Sequence, residues 1–274
     1  MDKSPIPAPK VILMGASGTG KTHSIRTLVE AGITPFVIFT EPGMEVLSDI
    51  PPEKLHWRYI PPVVGNLQSI LDMATKVNKF SYEQLTKMSD SERSKYNQFL
   101  EVISSSNRFV CDRTGEDFGC ADTWPTSRWL VIDSLTGLGK MAMSLVVGGR
   151  PTKSMPDWGV AQDMIRKLID YETTNLRCGF CLIAHVSRER DEITGGTYVT
   201  INTLGQKLAP ELPLFFSDVL MAKREGKDFF WSSAEVGADT KARNVELSGK
   251  LPPSFVPLIQ SWKRKGGILE ESTK

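Results

Sequence analysis

Several things are scarce in this sequence of 274 residues. Cysteine occurs four times and histidine three times, and four cysteines in a chain of this length do not make a disulfide scaffold. Net charge is almost absent: 33 Lys and Arg face 32 Asp and Glu, for a formal charge of +1. That balance gives no global basic field, so any nucleic-acid surface has to be a local patch. Apolar runs are short. None approaches the ~18 consecutive apolar residues of a spanning helix, and the opening MDKSPIPAPK has no apolar signal core. Secretion and membrane insertion are excluded as default readings, leaving the expectation of a soluble cytoplasmic protein with reduced thiols. Disorder throughout is excluded as well, because 40% of the residues are hydrophobic and can build a core.

What is present is an alternation of short apolar strands and amphipathic helices. Residues 1–9 contain three prolines and read as an extended leader. Val11 to Met14 is a buried-strand run ending on Gly15, Lys21 to Ala31 reads as a helix stopped by Gly32, and Phe36 to Phe39 is a second strand. Together they form a βαβ unit. The pattern then loosens. Lys79 to Asn97 reads as helical and solvated, and residues 78–124 as an insertion on the core. Trp129 to Ile132 is a third strand, ending in Asp133. Asp157 to Tyr171 is expected to be a helix with Asp157 as N-cap and Val160, Met164, Leu168 and Ile169 facing inward. Phe180 to Ala184 and Asp218 to Ala222 follow as strands, with Phe229 to Ser233 as one arm of an edge hairpin.

The sharpest signal is Gly15-Ala16-Ser17-Gly18-Thr19-Gly20-Lys21-Thr22, followed by His23. It is a complete G-x4-G-K-T motif between a strand and a helix, the context the motif requires. Glycines let backbone N–H groups wrap an anion and the helix N-terminus adds its dipole. Lys21 then reaches the outer phosphates and the Thr22 hydroxyl ligates Mg²⁺. These residues predict ATP and Mg²⁺ as ligands. Asp133, carried by an apolar strand to the same sheet edge, is the second candidate on the metal side.

Ser134 follows Asp133, where many ATPase motors carry a second acid that prepares the attacking water. Glu41, at the end of the strand after the phosphate-loop helix, is the candidate in its place. An acid there, with Asp133-Ser134-Leu135-Thr136, resembles the RecA-like recombinase fold. The likeness is greatest to the small phage-encoded RecA-like ATPases used in single-strand annealing and strand exchange. It covers roughly residues 10–45 and 125–260. It implies an α/β RecA-like P-loop NTPase core over 10–260, with a mainly parallel central sheet, helices on both faces and an edge hairpin. Residues 261–274 are then a basic, polar tail. His185 resembles the strand-end residue that senses the γ-phosphate. Gly205-Gln206-Lys207 with Leu212-Pro213 resembles the segment leading into the fifth strand. Lys241 and Arg243 resemble the basic pair that reaches across a subunit interface, which implies a homo-oligomeric ring or filament. RecA proper polymerises through an N-terminal helix and strand that nine residues cannot supply, and the insertion has no counterpart. Each of these residues also has a plain reading, as a turn residue, a satisfied strand-end histidine or a solvated pair.

Val186 to Tyr198 reads as a polar loop whose Arg188, Arg190 and Tyr198 could hold phosphates and stack a base. Glu189, Asp191 and Glu192 offset the arginines. In the resemblance this loop lines the DNA axis, and Leu145 to Met155, with Arg150 and Lys153, is the second candidate. Lys263-Arg264-Lys265 is as readily a solvated patch. The C-x2-C spacing of Cys178 and Cys181 invites zinc, but an offset of three on a strand points the two thiols to opposite faces, so buried free thiols are expected. The resulting expectation is a DNA-stimulated, Mg²⁺-dependent ATPase. It would bind single-stranded DNA and promote annealing and recombination in phage DNA metabolism, in the cytoplasm of the infected host. A phage or host single-strand-binding protein would be a further partner. The alternatives are another DNA motor, of helicase or packaging type, and a non-motor ATP-dependent switch.

Overall fold

The computed structural model describes residues 6–62, 67–88, 93–190, 195–205 and 207–270. The strands are β1 (Lys10–Gly15), β2 (Thr34–Phe39), β3 (His56–Tyr59), β4 (Arg128–Asp133), β5 (Gly179–Ala184), β6 (Val186–Arg190), β7 (Thr197–Ile201), β8 (Asp218–Glu225) and β9 (Asp228–Ser232). The α-helices are α1 (Lys21–Ser24), α2 (Arg26–Glu30), α3 (Leu67–Lys79), α4 (Tyr82–Lys87), α5 (Gln98–Asn107), α6 (Leu135–Val147), α7 (Met155–Thr174), α8 (Leu212–Phe215) and α9 (Val256–Arg264).

Seven strands form one sheet in the order β3-β2-β4-β5-β1-β8-β9, parallel except that β9 returns antiparallel along β8. β1 and β5 are buried at every position, as strands covered on both faces must be. Alternation then divides their side chains between two cores. Ile12, Met14, Phe36, Ile38, Leu130 and Ile132 face one side, where Phe99 and Val102 of α5, Leu138 and Met141 of α6, and Ile165 of α7 cover them. Val11, Leu13, Val37, Phe39 and Val131 face the other, against Ile25, Leu28 and the α9 residues Leu258, Ile259 and Trp262. The expected mainly parallel sheet, helices on both faces and edge hairpin are all present.

Several local expectations are corrected. The N-cap of α7 is Ser154, whose N–H donates to Asp157 Oδ2 at 2.7 Å, so Asp157 lies inside the first turn. Val160 points outward, and Ala161, Ile165, Leu168 and Ile169 form the inward face. Val186 to Tyr198 is not an open loop. Most of its described residues lie in the antiparallel pair β6–β7, while Asp191 to Thr194 lie outside the described residues, as does Gln206. The segment 78–124 is not wholly an addition to the core, because Phe99, Val102, Phe109, Cys111 and Trp124 are buried in it. The core also passes residue 260: Trp262 is buried and its indole N–H donates to the Pro7 carbonyl at 2.9 Å.

Candidate functional site

The phosphate loop leaves β1 at its C-terminal end. Gly18 and Gly20 have φ of 74° and 79°, in the left-handed region that favours glycine, and Thr19 Oγ1 donates to the Ala16 carbonyl at 2.8 Å to brace the turn. Lys21 Nζ folds back onto the Gly15 and Ala16 carbonyls at 2.9 and 2.8 Å. Burial lowers its pKa to about 8, with Asp133 and Glu41 pulling the other way.

β2 and β4 deliver the acids. Thr22 Oγ1 donates to Asp133 Oδ2 at 2.7 Å, so the hydroxyl and carboxylate predicted for Mg²⁺ already converge. Burial pushes the Asp133 carboxyl up, and the Thr22 hydroxyl and Lys21 oppose it. A hydroxyl and one carboxylate suit an ion that keeps several waters and takes phosphate oxygens as its other ligands. Glu41 lies at the end of β2, where Ser134 Oγ donates to its Oε2 at 2.6 Å. His185 Nε2 is 3.6 Å from the same oxygen and Lys140 Nζ is 3.4 Å from Oε1. The neighbouring His185 is the largest influence on Glu41, followed by an opposing burial effect and then Ser134 and Lys140. The net result holds its pKa at about 2. Glu41 is therefore ionised at neutral pH. Lys21, Thr22, Glu41, Asp133 and His185 all line one cleft of about 890 Å³, as do Tyr59, Pro61 and Pro62.

Sequence reasoning missed what holds these ends together. Thr40 Oγ1 donates to the Ser134 carbonyl and accepts from the Ser134 N–H, both at 2.8 Å. Lys140 was missed with α6 itself, because Gly137 and Gly139 mask a helix there. A Cβ on Gly137 would sit 2.2 Å from Thr40 Oγ1, so glycine lets α6 start against β2.

The remaining predicted residues lie elsewhere. Lys241 and Arg243 lie beside the start of β8: Lys241 pairs with Val219, and the Arg243 N–H donates to Asp218 Oδ1 at 2.8 Å. Lys241 Nζ donates to the Phe216 carbonyl at 2.7 Å, within its own chain, whereas Arg243 is exposed. Arg188 and Arg190 are exposed on β6 and pair with Val199 and Thr197. Tyr198 pairs with Glu189, on the opposite face of the ribbon, and burial together with a hydrogen bond to Asp239 raises its pKa. Arg150 Nη2 is 2.7 Å from Asp157 Oδ1, and Lys153 Nζ is 5.5 Å from the Trp158 ring centre. Cys178 and Cys181 are buried in opposite cores, and among the described residues no group of three or more His, Cys, Asp and Glu could hold a metal. No described helix is long and apolar enough to cross a membrane.

A phosphate loop, an acid on the neighbouring strand beyond β5 and a second acid beside them define a P-loop ATPase. The chain belongs to the AAA domain family, which matches residues 8–249. No curated protein matches it. Among solved structures it is similar to a prototypical ATPase from the type III secretion system of pathogenic bacteria. That likeness has 9% identity over 80% of this chain and 53% of that one, with a TM-score of 0.39, so the chain spans about half of that protein. It is also similar to the RadB recombinase, at 15% identity over 84% and 81% of the two chains, with a TM-score of 0.35.

Proposed function

We propose that the chain hydrolyses ATP with Mg²⁺ in response to single-stranded DNA, as a RecA-like annealing and recombination protein of phage DNA metabolism in the host cytoplasm. The observation that carries the catalytic part is the Glu41 carboxylate, held by Ser134 at 2.6 Å in the cleft that contains Lys21. Lys21 and the loop N–H groups bind the phosphates, and Thr22 and Asp133 hold Mg²⁺, which when bound neutralises phosphate charge. Glu41 orients a water. Its oxygen bonds to the γ-phosphorus, a proton passes to Glu41, and the bond to the bridging oxygen breaks to leave ADP and phosphate. His185, 3.6 Å from Glu41, registers the γ-phosphate in this reading. Arg188, Arg190 and Lys153 are the DNA contacts best exposed for that role, with Arg150 and Tyr198 already engaged within the chain. Arg243 of a neighbouring copy would complete the site in a homo-oligomer.

Glu41→Gln tests the reading. ATP affinity is expected to persist while hydrolysis falls roughly 10²–10⁴-fold, the span of a general base. A parent-like rate in that variant would place the base elsewhere. ATPase rates with and without single-stranded DNA, across protein concentrations, test the DNA and assembly parts.

A further inference from the structure

The α6 helix stands between two clefts. One is the nucleotide cleft. The other, of about 320 Å³, lies between α6, the 148–150 turn with Lys153, and the residues after β7, including Asn202 and Thr203. Lys140, Arg150 and Lys153 line this second cleft; its lining contains no carboxylate residue, although Arg150 is paired with Asp157 at 2.7 Å just outside it. Lys140 lines both clefts. Its ammonium is 3.4 Å from Glu41, and its side chain is 61% exposed. An ion pair so open to water is weak and is readily exchanged for another anion. Ser134 and His185 also contact Glu41, but neither lines the second cleft.

We infer that Lys140 is a positioning residue through which an anion in the α6 cleft controls Glu41. A phosphodiester phosphate seated beside Lys153 draws the Lys140 ammonium off Glu41. The carboxylate, still held by Ser134, then turns to the attacking water. A residue that lines both clefts would thus make hydrolysis depend on the polyanion without any large movement of the sheet. The inference rests on the reading of Glu41 as the group that orients water, and it adds the route by which nucleic acid reaches that group.

The test uses the full chain with an oligodeoxythymidylate, comparing the parent, Lys140→Gln and Lys140→Arg. ATPase kcat and KM are measured with and without the oligonucleotide, and binding is followed by fluorescence anisotropy. Lys140→Gln is expected to raise the DNA-free kcat several-fold toward the DNA-saturated value, leave the KM for ATP unchanged and lose most of the stimulation. Lys140→Arg keeps the charge and is expected to retain the stimulation. A Lys140→Gln protein with the parent's DNA-free kcat and the parent's stimulation would overturn the inference and leave the DNA-dependent reading standing. A raised KM would assign Lys140 to nucleotide binding and would also overturn it. If the parent binds no oligonucleotide, the inference and the DNA reading fall together, whereas parent-like hydrolysis by Glu41→Gln removes the Glu41 reading on which both stand.

Discussion

Lys21 shows how a functional residue can be stable while its ligand is away. Its ammonium is half-satisfied by two loop carbonyls, contacts that phosphate oxygens would replace. Lys21→Ala removes a buried charge rather than a core side chain. The fold is therefore expected to survive while nucleotide binding is lost. Nucleotide titration with a circular-dichroism control checks this, and unchanged ATPase would refute the assignment. Glu172 presents the opposite case, a buried acid outside the nucleotide site. It is fully buried on α7, and neither carboxylate oxygen has a hydrogen-bond partner. Burial raises its pKa from 4.5 to about 7, with the Ser106 hydroxyl and Lys10 only partly opposing. Below the unfolded value both states are protonated and the group costs nothing. As pH rises from 4.5 through 7 the unfolded chain ionises first, so stability falls, by about 3 kcal/mol once the window is passed. Glu172→Gln is expected to raise the melting temperature at pH 8 by several degrees and change it little at pH 4. Equal effects at both pH values would show that the carboxyl ionises as freely folded as unfolded.

At the scale of elements, the site depends on two strand ends being tied together. Thr40 and Ser134 exchange two hydrogen bonds, and the Thr40 N–H donates to the Asp133 carbonyl at 2.7 Å. Thr40→Val keeps the shape, removes the hydroxyl, and leaves the buried Ser134 N–H unpaired at a cost of about 1–3 kcal/mol, while the Ser134 carbonyl keeps the Leu138 N–H at 3.1 Å. Denaturation is expected to shift by that order. The ATPase rate is expected to fall more than ATP affinity, because Glu41 is placed through Ser134. A rate unchanged in a destabilised protein would separate the tie from catalysis. The strands that carry these ends were legible in the sequence. β1, β2, β4 and β5 are apolar runs closed by a glycine, an acid or a histidine, and burial on both faces demands such runs. β3 was not legible, since His-Trp-Arg-Tyr is short and half-polar. It pairs with β2 on one side and stacks His56 on Phe36 at 4.8 Å, a contact that only the fold creates. α6 was hidden by glycines that serve packing against Thr40. α9 was read partly as tail because its basic Lys263 and Arg264 mask a buried stripe of Leu258, Ile259 and Trp262.

At the scale of the whole molecule, Lys241 and Arg243 lie at the wrong end of β8 for their own nucleotide. Val219, bridged to Lys241, pairs with Ile12, whereas Gly15, where the phosphate loop begins, pairs with Ala222 further along the strand. Neither cation lines the nucleotide cleft. The proposed contact across an interface is to be tested on each of them separately, because the two are not equivalent. Lys241 holds carbonyls of its own chain, and burial lowers its pKa, so Lys241→Ala is expected to cost stability first. Arg243 is exposed, so Arg243→Ala is expected to leave folding and ATP affinity intact. If its guanidinium neutralises a neighbour's γ-phosphate, hydrolysis falls by as much as 10³–10⁵-fold. Mixing separates service in trans from an effect within one chain. Arg243→Ala subunits keep their phosphate loop, and Lys21→Ala subunits keep their arginine, so a mixed assembly contains some sites with both. Each variant alone is expected to be nearly inactive, and the mixture to recover part of the parent rate with a maximum at intermediate ratios. Light scattering establishes that the two co-assemble. Co-assembly with no recovery at any ratio would mean that Arg243 does not act across the interface.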